Sequence, residues 1–183
     1  MALLDKLIKA ILTPFFKLIH KDMTDEQWTP VLQFIKFCIV GATNTVISYV
    51  LNILVVFALS GTKLSGSATI SGVSFSPDVL IANVVAFILS VLWSYYWNNR
   101  FVFTLKDGQK RNWFKALLKT YLSYAVTGLL LACIMSWLWV DVLNVSKLIA
   151  PLLNLVISVP VNFILNKLWA FKSSDKKNEE TAE

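Results

Sequence analysis

The sequence of 183 residues has few of the side chains on which most catalytic and metal sites depend. It contains one histidine, His20, and two cysteines, Cys38 and Cys133, which both fall inside long apolar runs. We interpret the cysteines as small packing residues, and one histidine with two such cysteines does not make a metal site. The sequence also lacks a nucleophile–base pair and a phosphate-binding loop. We therefore expect no enzymatic activity, no metal site and no cofactor.

Charge is scarce as well, with 15% charged residues against 56% hydrophobic ones. Average soluble domains are about 25% charged, so this balance indicates a membrane protein. The net charge of +6 is compatible with nucleic-acid binding, but the basic residues flank apolar runs and do not form one face. We therefore expect the anionic surface of a lipid bilayer as the partner, and no nucleic acid.

Four apolar runs are long enough to cross a bilayer, which takes about 20 residues. They are Phe37–Leu59, Val79–Trp97, Leu117–Val140 and Leu148–Leu165, and the last of them ends at Leu165 or at Trp169. Because the runs lack the alternation of barrel strands, they are predicted to be helices. The sequence thus predicts an all-α membrane protein with four transmembrane helices.

The distribution of Lys and Arg predicts the orientation of these helices, since such residues accumulate on the cytoplasmic side. Of 17 basic residues, only Lys63 and Lys147 fall in the loops after the first and third runs. The others lie before the first run, around the middle loop or after the fourth run: Lys6, Lys9, Lys17, Lys21, Lys36, Arg100, Lys106, Lys110, Arg111, Lys115, Lys119, Lys167, Lys172, Lys176 and Lys177. We expect a multi-pass protein of the inner (cytoplasmic) membrane, with both termini and the middle loop in the cytoplasm.

The segments outside the runs have distinct compositions. Residues 1–33 contain an apolar helical stripe opposite a basic one, which predicts an amphipathic helix at the membrane interface, kinked or broken near Pro14. The alternative is a helix docked on another protein. The four-helix domain is expected to span residues 34–172, and the polar tail, residues 173–183, is expected to be disordered. The outer loop from Ser60 to Pro77 is either flexible or a small cap.

The second and fourth runs resemble each other at an offset of 68 residues. Seven of 24 aligned positions are identical, including Ser90 with Ser158, Asn98 with Asn166, and Phe103 with Phe171. Each copy comprises two runs, so both copies enter and leave on the same side of the membrane. We therefore predict two helical hairpins related by a parallel repeat.

Polar residues recur inside the runs at steps of four, which places each set along one helix face. An amide in hydrocarbon is costly without a partner, so these stripes face other helices or a wet cavity. One interpretation is interhelical hydrogen bonding. The other is a substrate-binding groove for a hydrophilic headgroup, lined by Asn44, Ser48, Asn52, Asn83, Ser90, Ser94, Asn98, Asn154, Ser158, Asn162 and Asn166.

Three basic residues near the ends of the runs are candidate phosphate ligands: Lys36, Arg100 and Lys167. The alternative is that they only anchor the helices at the cytoplasmic surface. No Asp or Glu lies within a run, since Asp78 and Asp141 are at the edges. Proton-coupled exporters generally need a titrating intramembrane carboxylate, so its absence argues against a small multidrug exporter.

Three motifs carry a resemblance to a known family. Residues 34–49, FIKFCIVGATNTVISY, resemble the opening of GtrA-like proteins, in which a Phe-rich start leads into a VGxxNT motif. Residues 161–172, VNFILNKLWAFK, are similar to the closing NFxxNRxWxF signature, with Lys167 in place of the usual Arg. Residues 97–103, WNNRFVF, form a weaker first copy of it. Family members often have an Asp three residues after the Thr of VGxxNT, where this chain has Ser48.

The resemblance implies a member of the GtrA/dolichol-phosphate-mannose-synthase transmembrane group. Such proteins are proposed to flip polyprenyl-phosphate-linked sugars across the membrane for glycosylation of cell-surface polysaccharide or teichoic acid. This implies a polyprenyl-phosphate sugar and a membrane glycosyltransferase as partners. The alternative function is a non-transporting scaffold that anchors or orients a glycosyltransferase. Because four helices enclose little volume, a homo-oligomer is a further expectation.

Overall fold

The structure is a computed structural model that describes residues 2–18, 23–70, 73–105, 108–146, 149–172 and 174–175. Four of its helices are long and apolar enough to cross a membrane, namely Asp25–Leu59, Pro77–Val102, Trp113–Val142 and Leu152–Ala170. The predicted all-α class and the four spans are thereby confirmed, and the chain is a multi-pass membrane protein. Their relation as two parallel hairpins stays a prediction.

The first two helices differ from expectation at their starts. Helix α1, Ala2–Leu18, continues through Pro14, so of the predicted kink or break near this residue the break is wrong. Helix α2, Asp25–Leu59, begins twelve residues before the predicted span, because Thr24 and Gln27 form a capping box. The Gln27 backbone N–H donates to Thr24 Oγ1 at 3.4 Å, and the Thr24 N–H donates to Gln27 Oε1 at 3.2 Å. With 35 residues, α2 is roughly 52 Å long and exceeds the hydrocarbon core of about 30 Å.

The remaining spans contain π-helical segments. Helix α3, Pro77–Trp97, continues as π1, Asn98–Val102. The third span is continuous and consists of α4, Trp113–Ala125, π2, Val126–Leu131, α5, Ala132–Trp137, and π3, Leu138–Val142. Helix α6, Ala150–Leu165, continues as π4, Asn166–Ala170. The start of α4 is capped by Asn112, whose Oδ1 accepts from the Lys115 backbone N–H at 3.0 Å.

Two short antiparallel strand pairs lie in the connections. Strand β1, Ala68–Ile70, pairs with β2, Val73–Phe75, inside the loop that was expected to be flexible or a cap. Strand β3, Gln109–Lys110, pairs with β4, Ser174–Asp175, so part of the tail has a regular partner in the middle loop. The rest of the predicted disordered tail, residues 173 and 176–183, lies outside the described residues, as does His20.

The chain divides into two compact units. The first unit comprises Met1–Cys38 and Asn98–Glu183, and the second comprises Ile39–Trp97. In the first unit, α4 packs against π4 and α5 packs against α6. The predicted domain boundary at residue 34 falls within α2, whose helical backbone is continuous there. Both cysteines are free.

Candidate functional site

The two π-helical turns π1 and π4 occupy equivalent positions of the sequence repeat. The Phe103 backbone N–H donates to the Asn98 carbonyl at 2.8 Å, and the Phe171 N–H donates to the Asn166 carbonyl at the same distance. The side chains of Asn98 and Asn166 are both 0% exposed. The offset of 68 residues found in the sequence therefore separates two turns with the same irregular hydrogen bond and the same burial. Such turns occur often at functional sites.

The ends of these two turns meet in a group of five phenylalanines, the Phe cluster, which consists of Phe34, Phe37, Phe103, Phe163 and Phe171. The rings of Phe103 and Phe171 stack with centroids 4.8 Å apart and planes at 27°. Phe163 stacks on Phe103 at 5.8 Å, and its ring also lies 5.2 Å from that of Phe34. Phe34 is half-buried, and the other four side chains are buried. The cluster thus joins α2, α6 and the ends of both π turns within the first unit.

Cations cap the carbonyl ends of both π turns. Arg111 donates from Nη1 to Asn99 Oδ1 at 2.5 Å and from both Nη atoms to the Phe103 carbonyl at 3.0 Å, and its guanidinium lies 5.1 Å from the Phe171 ring. Lys119 donates to the Trp169 carbonyl at 3.3 Å and lies 5.3 Å from the Trp169 ring. The negative end of a helix dipole favours such cations.

Arg111 and Lys119 were counted in the sequence only as contributors to charge bias. The sequence does not reveal that they cap the π turns, because only the folded chain brings these cations next to the carbonyl groups at the ends of the turns. We call this part of the first unit the basic end, since Lys36, Arg100, Arg111, Lys119 and Lys167 all lie in the segments that form it.

The three predicted phosphate ligands have different surroundings. Lys36 forms an ion pair with Asp5 of α1, with Nζ 2.6 Å from Oδ1. The Nζ of Lys167 lies 5.5 Å from the ring centroid of Phe163. Arg100 lies in π1 and is exposed. The Phe cluster therefore brings Lys167 and the helix that carries Lys36 together, whereas none of the contacts that form the cluster involves Arg100.

In the second unit, the predicted polar stripes are partly engaged in packing. Asn52 Nδ2 donates to Asn83 Oδ1 at 2.8 Å, which joins α2 and α3. Ser90 donates to the Phe87 carbonyl at 3.2 Å, and Ser94 is 0% exposed. Ser48 is half-buried, and the buried Oδ1 of Asn44 has no hydrogen-bond partner among the residues that the structure describes.

In the first unit, the fourth-span stripe is also hydrogen-bonded. Asn154 Nδ2 donates to Ser136 Oγ at 2.8 Å and thereby joins α6 to α5. The Ser158 hydroxyl donates to the Asn154 carbonyl. Asn166 Nδ2 donates to the carbonyl and Oδ1 of Asn162, at 2.8 and 2.9 Å. These contacts fit the interpretation of the stripe as interhelical and local hydrogen bonding for the amide donors of Asn154 and Asn166.

A third-span stripe of hydroxyl residues was missed by the sequence analysis. Thr120, Ser123 and Thr127 are at most 4% exposed and follow one another at steps of three and four, so they share one face of the helix. Thr120 donates to the Ala116 carbonyl and Thr127 to the Ser123 carbonyl, both at 2.9 Å. The three hydroxyl residues are visible in the sequence, but their spacing of three and then four residues does not follow the regular four-residue step of the other stripes.

Several buried oxygens of the first unit have no hydrogen-bond partner among the described residues. They include Gln33 Oε1 in α2, and Ser123 Oγ, Asn154 Oδ1 and Asn166 Oδ1 in the third and fourth spans. A buried acceptor without a partner costs about 1–3 kcal/mol, so these atoms have a strong preference for a donor such as water or a sugar hydroxyl. The interior of the first unit thus combines free acceptors with cations at its basic end.

These features define a multi-pass helical membrane protein with two equivalent π turns and a polar interior. The family model described as GtrA/DPMS, transmembrane domain, matches residues 36–171. This is more than half of the chain, which therefore belongs to the GtrA/DPMS transmembrane-domain family, as its motifs indicate. The membership connects the protein with the handling of sugars linked to glycosyl carrier lipids. Neither a curated protein nor a solved structure matched the chain.

Proposed function

We propose that this protein moves a polyprenyl-phosphate-linked sugar across the membrane for glycosylation of cell-surface polysaccharide or teichoic acid. The observation that carries the proposal is the set of buried oxygens at Ser123, Asn154 and Asn166, which have no hydrogen-bond partner in the described part of the chain and lie in a unit whose one end is basic. Acceptors inside a membrane-spanning bundle suit a sugar, whose hydroxyl groups are donors. The family membership of the chain supports the same substrate class.

The two ends of such a substrate need different surroundings. The phosphate is received at the basic end by Lys36, Lys167 and Arg100, because cations form strong charge-assisted hydrogen bonds with phosphate. The sugar passes along the polar residues of the third and fourth spans, and the isoprenoid chain stays in lipid. Since the substrate keeps all its covalent bonds, the proposed function includes no catalytic step.

The proposal places the protein in the inner membrane with both termini in the cytoplasm. A glycosyltransferase then makes the substrate on the cytoplasmic leaflet, next to the basic end. The exposed apolar side chains of α1 support an interfacial position of this helix. They lie on one face and are 57–80% exposed, namely Leu3, Leu7, Ile11, Phe15 and Leu18.

Transport is tested in proteoliposomes that contain only this protein and a fluorescent polyprenyl-phosphate sugar. We expect faster movement between leaflets than in empty vesicles, and no acceleration contradicts the proposal. Ser123→Ala removes a hydroxyl without a partner and is expected to slow transport. Thr29→Val is the matched control, because the Thr29 hydroxyl donates to the Asp25 carbonyl at 3.1 Å, is exposed and lies outside the buried polar stripes.

The alternative function is a scaffold that orients a glycosyltransferase without transport. It is favoured by the stripe residues that bond to one another, as Asn52 does with Asn83 and Asn154 with Ser136. The scaffold predicts co-purification with the enzyme and full glycosylation in cells that express Ser123→Ala. A homo-oligomer is compatible with either function and is tested by mass measurement in detergent.

A further inference from the structure

The ion pair between Asp5 and Lys36 differs from the other ion pair that the structure describes between α1 and α2. Lys36 is only 12% exposed in its side chain and Asp5 is 31% exposed, with 2.6 Å between Nζ and Oδ1. Lys9 and Asp25 are at a similar distance, 2.7 Å, but their side chains are 36% and 93% exposed. An exposed ion pair contributes little to stability, whereas a largely buried ammonium group needs a nearby anion to offset the cost of its desolvation.

The surroundings of Lys36 suit a lipid phosphate as well as a carboxylate. Lys36 lies on α2 between Phe34 and Phe37, and both rings contact Phe163. The second cation, Lys167, lies over the same Phe163 ring. An anion at Lys36 therefore has a second cation nearby and aromatic side chains beside it. A phosphate monoester carries a charge of about −1.5 to −2 at neutral pH and competes well with a single carboxylate.

We infer that Asp5 occupies a phosphate-monoester site at Lys36, so that α1 and a prenyl phosphate exclude each other there. This inference rests on the proposed function, because the regulator, a prenyl phosphate monoester, shares its site with the singly charged phosphodiester of the proposed substrate. Binding of the phosphate releases Asp5 and loosens the contact of α1 with α2. The exposed apolar face of α1 keeps the released helix at the lipid surface. The helix thus restrains the site until a phosphate-bearing lipid arrives.

Equilibrium binding of farnesyl phosphate to the full-length protein in detergent tests this competition. Asp5→Asn is expected to bind farnesyl phosphate about tenfold more tightly than the wild type, since one charged competitor is removed. Asp25→Asn breaks the exposed ion pair and is the matched control, with unchanged binding. Lys36→Gln is expected to bind weakly, and the double variant Asp5→Asn/Lys36→Gln is expected to show no gain.

The probes distinguish the parts of the ligand. A gain for inorganic phosphate in Asp5→Asn supports a site that reads the phosphate group alone, and a gain confined to farnesyl phosphate supports a site that also reads the prenyl chain. An equal gain for farnesol contradicts the inference. So does unchanged binding in Asp5→Asn, or a gain that persists in the double variant.

A second measurement leaves Asp5 and Lys36 in place, in case Asp5→Asn fails to fold. Spin labels on cysteines introduced at Leu3 and Glu26 report the distance between α1 and α2, in a background without the native cysteines. Farnesyl phosphate is expected to broaden the distribution of distances between the two labels and to increase its mean. Farnesol is expected to leave the distribution unchanged. An unchanged distance at saturating farnesyl phosphate overturns the inference.

The inference and the proposed function fail in different experiments. Tighter binding in Asp5→Asn without transport by any variant leaves the competition valid and contradicts the translocase. Transport by the wild type together with unchanged binding in Asp5→Asn supports the translocase and contradicts the competition between Asp5 and phosphate.

Discussion

Removing either of the two stacked rings that join the π turns, Phe103 and Phe171, is expected to lower the free energy of unfolding. The two losses are not expected to be additive. Phe103 contacts the rings of Phe37, Phe163 and Phe171, whereas Phe171 contacts Phe103 and the guanidinium of Arg111. In soluble proteins a buried Phe→Ala substitution costs about 3–5 kcal/mol. Lipid tails are apolar, so the transfer part of this cost is reduced in a membrane, and we expect about 2–3 kcal/mol for each variant, with Phe103→Ala the larger.

The coupling between the two rings is the sharper quantity. A stacked pair contributes about 0.5–1.5 kcal/mol beyond the burial of each ring, so the double variant should lose less than the sum of the single losses by this amount. Reversible unfolding in mixed micelles, followed by circular dichroism, measures the three free energies. Phe114→Ala is the control, because this side chain is 62% exposed, and it should cost less than about 0.5 kcal/mol. Strict additivity of Phe103→Ala and Phe171→Ala refutes the role of the stack.

Three further predictions concern other contacts. Asn154→Leu and Ser136→Ala should each lower the free energy of unfolding by about 0.6 kcal/mol, because each removes the same hydrogen bond. The double variant should lose no more than either single variant, and a loss equal to the sum of the two contradicts the prediction. Arg111→Lys keeps the charge but loses the forked contact, and we expect a lower melting temperature in detergent, so an unchanged value counts against the cap. A fluorescent label at position 15 should be quenched by doxyl lipids more strongly than one at Lys6, and equal quenching argues against an interfacial α1.

Much of the architecture follows from short-range patterns. The four spans are evident because long apolar runs without charges have no soluble alternative of comparable stability. The equivalence of π1 and π4 was anticipated by the offset of 68 residues that pairs Asn98 with Asn166. The early start of α2 was also encoded, in the capping box of Thr24 and Gln27, but the apolar run alone does not reveal it.

The partners of the polar residues were beyond such patterns. A step of four shows that residues share a helix face, but it does not show which neighbour that face meets. The sequence alone thus determined that Asn52 and Asn154 needed partners, and the fold decided that these are Asn83 and Ser136. The same applies to Lys36. The sequence predicts it as a phosphate ligand, and the structure pairs it with Asp5.

The sequence by itself determined the membrane class, the number of spans, the family and the position of the repeat, because these depend on composition and on motifs read along the chain. Only the tertiary structure decided which buried oxygens lack partners, which cations cap the π turns and which anion holds Lys36. These depend on distances between residues far apart in sequence, as between Asp5 and Lys36 or between Arg111 and Phe171. No local propensity encodes such distances, since they arise when helices pack and each polar group selects among the neighbours within its reach.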